Sequence, residues 1–153
     1  MTGLNHAVTG ALVAVAVKQP ALALPLAFLS HFVIDAIPHY DHKDLPPHRG
    51  RYQLVLLLDA FFSIVLLGVL TLLVTNTSPW LIFACGLLGI LPDVMWLPYF
   101  ITGQPSKMSD SKNLLHLARR FHAWVQWSEG PRGLYVEIIW FVIMFALIWN
   151  IGR

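Results

Sequence analysis

Five apolar runs, separated by short polar breaks, constrain this chain more than any motif in it. They are Leu4–Val17, Ala21–Ile37, Gln53–Thr75, Trp80–Ile101 and Leu134–Ile151. A helix rises about 1.5 Å per residue, so about 20 apolar residues cross a hydrocarbon core about 30 Å thick. The three later runs read as full spans. Leu4–Val17 reaches only about 21 Å as a helix, which suits a partial or tilted span packed as a hairpin against Ala21–Ile37. Pro20 fits the first turn of the second helix and Pro38 its end. Gly3, Ala7, Gly10, Ala11 and Ala14 recur at small-xxx-small spacing, which permits close helix contact.

Composition agrees with the runs. The chain is 57% hydrophobic and 12% charged, against about 25% charged in a soluble domain. A surplus of two positive charges is no argument for a nucleic-acid partner. The single cysteine, Cys85, excludes an internal disulfide framework and a thiolate-rich metal site. The opening MTGLNHAVTGALVAVAVK has no basic residue before its apolar run and reads as a retained first helix rather than a signal peptide.

Leu114 to Trp127 has a different pattern. Leu114, Leu115, Ala118, Phe121 and Val125 recur at helical spacing, with Arg119, Arg120, His122 and Gln126 between them. This predicts an amphipathic interfacial helix, with Trp124 and Trp127 at headgroup level. The expected fold is all-α: one integral-membrane domain over residues 1–153, a polytopic bundle of about five membrane helices plus one interfacial helix. With five crossings, Lys43, Arg49, Arg51, Lys107, Lys112, Arg119, Arg120 and Arg132 share one face, and only Lys18 and Arg153 the other. The positive-inside rule makes the first face cytoplasmic; the expected location is the inner membrane of a prokaryote.

Ser30 to His42, SHFVIDAIPHYDH, carries the chemistry. His31 and Asp35 stand four residues apart, on one face of a helix, among Phe28, Phe32, Val33, Ile34 and Ile37. Polar groups in such surroundings need partners, and a divalent cation satisfies both at once. The same topology brings His6, Asp59 and Asp93 to similar depth near the same face, with His39, Asp41 and His42 at the interface. No Lys or Arg lies inside a span to pair with Asp35, Asp59 or Asp93. Intramembrane ionisable residues are functional candidates by default. The expected metal ligands are His6, His31, Asp35, His39 and Asp93, holding one or two divalent ions, zinc first, with manganese or iron as alternatives. Asp59 and His122 are the candidates for taking a proton or orienting water.

Each residue also has a plainer reading. His31 and Asp35 can form a neutral hydrogen-bonded pair, and His6 can meet lipid headgroups. Asp93 can accept N–H groups freed by Pro92, and Asp59 can snorkel. His39 to His42 can be a solvated loop, and His116 and His122 can contact headgroups.

HFVIDAIPHYDH, with NHAVTG near the start and LPD in a later span, resembles the small membrane-bound metal-dependent hydrolases, the group that includes the LexA-binding inner-membrane-associated hydrolases. The His-x3-Asp element followed by Pro and further His is locally similar to the zinc site of the phospholipase C and S1/P1 nuclease group. The resemblance implies that His31 and Asp35 bind metal, that His6 is the early His ligand and that Asp93 is the Asp of the LPD element. The chain lacks the His-Arg…Thr-His-Ser element of better-known members. FHAWVQW, at Phe121–Trp127, is the stretch available in its place, with His122 as its one ligand-type residue. In the phospholipase-like pattern a second His follows ten residues after the first; here position 41 is Asp, flanked by His39 and His42.

The expected activity is hydrolysis of a phosphoester or ester of an amphiphilic substrate at the cytoplasmic membrane surface, with membrane lipids as partners. A structural metal site without catalysis, or a metal-ion or proton transporter, are the alternatives.

Overall fold

The computed structural model describes residues 1–40, 50–98 and 113–153, without the side chains of residues 51 and 52. Among these, the chain forms six α-helices and no strand: α1 (Gly3–Val17), α2 (Pro20–Asp35), α3 (Gly50–Leu73), α4 (Pro79–Ile90), α5 (Leu114–Val125) and α6 (Gly133–Ile151). A 3-10 turn, Leu91–Trp96, continues directly from α4.

Three helical stretches are long and apolar enough to cross a membrane: Gln53–Leu73, Pro79–Trp96 and Gly133–Ile151. The sequence led us to expect about five. α1 and α2, at 15 and 16 residues, are apolar but shorter than a full span. They form the expected hairpin. Lys18 makes the reversal in a left-handed conformation (φ 60°), its N–H returning to the Ala14 carbonyl, and Pro20 opens α2 where its missing N–H costs nothing.

α1 is the central helix, packed on α2, α3, α4 and α6. Its small residues explain why. Ala7, Ala11 and Ala14 are fully buried, and a Cβ on Gly10 would overlap the Cys85 carbonyl of α4. A Cβ on Gly89 of α4 would likewise overlap the His6 carbonyl. The two backbones therefore run in direct contact, as dispersion-driven packing in an apolar solvent favours. That contact sets His6 beside the end of α4. Leu67, Leu70, Leu81, Ile82 and Ile148 complete the core around the hairpin.

The N-terminus of α1 is bound by two acids from other helices. Asp59 of α3 accepts from the Gly3 and Leu4 N–H groups at 2.7 and 3.1 Å. Glu137 of α6 accepts from the Thr2 N–H at 3.2 Å and the Asn5 amide at 3.3 Å. A helix start leaves orphan N–H donors and a positive dipole end, and these carboxylates answer both.

α5 is amphipathic, as expected, and its polar face is turned into the protein. Arg119 and His122 are buried, whereas Leu114, Leu117, Phe121 and Trp124 are exposed. Arg119 donates through Nε and Nη2 to the Met95 carbonyl at 3.2 and 2.8 Å, tying α5 to the 3-10 turn.

Candidate metal centre

Three local features bring four ligand-type side chains together. His31 and Asp35 lie on the last turns of α2, and their spacing puts His31 Nε2 3.2 Å from Asp35 Oδ2. Pro92 cannot donate the N–H that would continue α4, and the chain tightens into the 3-10 turn that carries Asp93. The inward face of α5 supplies His122. His31, Asp35, Asp93 and His122 then have ligand atoms within 4.8 Å of one another, a group that could hold a metal ion.

The separations suit a single small cation. Zinc-like bonds of about 2.1 Å in tetrahedral geometry put ligand atoms about 3.4 Å apart. Here His31 Nε2 is 3.7 Å and His122 Nε2 3.6 Å from Asp93 Oδ1, and His122 Nε2 is 3.0 Å from Asp35 Oδ2. The two imidazole nitrogens approach to 2.7 Å. His31, Asp35 and His122 are wholly buried, while the Asp93 side chain is 31% exposed, so the group is reachable from one side.

The outer hydrogen bonds distinguish the two histidines. His31 Nδ1 is 2.7 Å from the Gly89 carbonyl, which can only accept, so the hydrogen sits on Nδ1 and the Nε2 lone pair faces the group. That is the usual support of a metal-ligating histidine. His122 Nδ1 is 2.6 Å from the Trp96 indole nitrogen, which can only donate. Those partners assign the hydrogen of neutral His122 to Nε2, where it faces Asp35 Oδ2. His31, Asp35 and Asp93 thus fit a cation directly. His122 fits as a proton donor unchanged, and as a ligand once the indole gives way.

His6 lies next to the group. Its ring stacks on His31 with centroids 3.9 Å apart, and Nε2 is 3.1 Å from Asp35 Oδ1 and 3.9 Å from Asp93 Oδ2. The contact to Asp35 lacks hydrogen-bond alignment, and neither ring nitrogen of this wholly buried histidine has a hydrogen-bond partner. Asp35 is the hub: Oδ1 also meets the Met1 ammonium at 2.7 Å, and Oδ2 accepts from the Gln126 amide at 3.1 Å.

Two of the expected site residues stand apart. His39 is buried, with Nδ1 donating to the Ile37 carbonyl at 2.8 Å and Nε2 3.6 Å from Glu129. It belongs to a clamp in which Gly130 N–H donates to the His39 carbonyl at 2.9 Å and Ser128 to the Ala36 carbonyl at 2.9 Å. That clamp fastens the end of α2 to the segment between α5 and α6. Asp59 binds the α1 backbone instead. Asp41 and His42 lie outside the described residues. Two contributors were not singled out from sequence: Trp96, which had no signal beyond its nearness to Asp93, and Glu137, read only as an acid near the start of a span.

No family model matches the chain, and no curated protein or solved structure is significantly similar to it.

Proposed function

We propose that the chain is a membrane-embedded metal-dependent hydrolase. The observation that carries this reading is the group of His31, Asp35, Asp93 and His122, three of them wholly buried and the fourth, Asp93, partly open. A closed structural site keeps no such opening, whereas catalytic sites leave a position free for water or substrate. A divalent ion held there supplies Lewis acidity and brings the pKa of a coordinated water towards about 7.

The chain's own residues supply the rest. Gly89 fixes the His31 ring, so its Nε2 presents a lone pair. Asp35 and Asp93 supply negative charge, which favours a cation. His122, held by Trp96, presents its Nε2 hydrogen to the group and is positioned to donate to a leaving oxygen. Arg119 braces the turn carrying Asp93.

The apolar setting favours an amphiphile carrying a phosphoester, with an ester as the second choice. A groove of about 470 Å³ between α1 and α2 is lined almost wholly by apolar side chains, among them Leu12, Val13, Leu29 and Ile34. Two of its lining residues adjoin the group in sequence, Ser30 preceding His31 and Ile34 preceding Asp35. A hydrocarbon chain lying there would hold its polar head near the metal group. The motif resemblance to membrane-bound metal-dependent hydrolases supports the same reading, as do the basic loops for a site facing the cytoplasm of a prokaryotic inner membrane. Zinc is the first choice of ion for one histidine and two carboxylates with a second histidine beside them.

Protein purified in detergent and stripped of metal should regain hydrolysis of a short-chain phosphatidic acid or a related lipid phosphate on adding zinc or manganese. His31→Ala and Asp35→Ala should abolish both metal retention and turnover. Wild-type protein that binds no divalent ion would refute the reading.

A further inference from the structure

The two carboxylates are divided between two positions. Asp35 turns Oδ2 to His31 and His122 at 3.2 and 3.0 Å, and Oδ1 to His6 at 3.1 Å. Asp93 repeats the division, with Oδ1 3.7 and 3.6 Å from His31 and His122, and Oδ2 3.9 Å from His6. Each acid thus offers one oxygen to the histidine pair and the other to His6. His6 stands beside the first group, which is formed by His31, Asp35, Asp93 and His122 without it.

His6 itself is the second observation. It is wholly buried, and both ring nitrogens lack hydrogen-bond partners. A buried polar atom left unpaired costs about 1–3 kcal/mol, so a native structure normally gives it a partner. Asp35 Oδ1, at 3.1 Å from Nε2, makes no hydrogen bond with it, and whichever ring nitrogen lacks the hydrogen keeps a lone pair without a donor. A cation between Oδ1 and Nε2 satisfies both. The placement of His6 is not incidental: Gly89 admits the His6 backbone against α4, and the same Gly89 carbonyl orients His31.

The geometry points to a second divalent-cation position, held by His6 Nε2, Asp35 Oδ1 and Asp93 Oδ2, with both aspartates bridging to the ion at His31 and His122. It rests on the metal reading of the first group. One positive group already meets Asp35 Oδ1, the Met1 ammonium, and the second ion displaces it or shares the oxygen with it.

Metal-stripped wild-type protein in detergent, titrated with manganese, should bind two ions per chain. Electron paramagnetic resonance should then show an exchange-coupled pair rather than isolated ions, because carboxylate bridges couple neighbouring spins. His6→Asn should lower the count from two ions to one and restore the isolated-ion spectrum. One ion per wild-type chain overturns the second position and leaves the first group standing. Two coupled ions persisting in a folded His6→Asn variant overturn the role of His6. No bound ion overturns both readings, and the wild-type spectrum decides the matter even where the variant fails to fold.

Discussion

The protein gathers two pairs of acids at the same end of α1, and they do opposite work. Asp59 and Glu137 face backbone N–H groups: Gly3 and Leu4 for the first, Thr2 and Tyr40 for the second. Asp35 and Asp93 face imidazole nitrogens from three helices. The first pair has all the partners a carboxylate needs within the fold, in the manner of a helix cap supplied from neighbouring helices. The second pair gathers imidazoles, two of which, His6 and His31, bring lone pairs of their own, although Asp35 also accepts from the Met1 ammonium and the Gln126 amide. An acid in an apolar helix is therefore not a functional residue by its place in the sequence alone; what it faces decides. Donors alone make Asp59 and Glu137 structural, whereas imidazole lone pairs beside Asp35 and Asp93 leave a group that could hold a cation.

The sharpest way to break this contrast is to neutralise one acid of each pair. Asp35→Asn should weaken metal binding by more than about 100-fold, exceeding the 10–100-fold loss typical of an outer partner. Isothermal titration with zinc reads this directly. Zinc at about 100 times the wild-type dissociation constant should stabilise the wild type by about 2.7 kcal/mol and Asp35→Asn by about 0.4 kcal/mol or less, a difference visible in thermal unfolding. Asp59→Asn should do the reverse. It should keep the metal stoichiometry and lower stability by about 1–3 kcal/mol, the cost of weakening hydrogen bonds to a partly buried charged group. Loss of metal with retained stability in Asp59→Asn would collapse the distinction.

Two smaller effects sharpen it. Trp96→Phe removes the donor that keeps the His122 hydrogen on Nε2. The ring is then free to take its other tautomer and ligate, so zinc affinity should rise by up to about tenfold, or about 1.4 kcal/mol. A fall in affinity would instead mean that the indole supports ligation. His39→Gln should leave metal content unchanged and cost about 1 kcal/mol or less of stability, as expected for one hydrogen bond in the clamp. Metal loss in that variant would move His39 back among the ligands, where its place in SHFVIDAIPHYDH suggested it belongs.

Much of this was legible in the residues, and the misses share a cause. The α1–α2 hairpin followed from Pro20 and the length of Leu4–Val17. The pairing of His31 with Asp35 followed from four-residue spacing on one helix. Asp93 followed from a proline-broken span. His39 lies as close to Asp35 in sequence as His31 does, but α2 ends between them, and the chain beyond Pro38 turns towards Glu129. Asp59 and Asp93 looked alike as lone acids in apolar runs. Only the packing of α3 beside the start of α1, and of the α4 turn beside α2, separates them.

Local periodicity and hydropathy are set by neighbours along the chain, and so the sequence by itself determined an all-helical, apolar protein with three stretches long enough to span a membrane. It also determined which acids and histidines would lie in them. Which of these meet is a property of helix packing. The backbone contact of Gly10 and Gly89 between α1 and α4, and the inward rotation of the polar face of α5, brought His6 and His122 to Asp35 across 29 and 87 residues of chain. Tertiary structure alone decided that, because the energy of closing such distances comes from contacts no single segment contains.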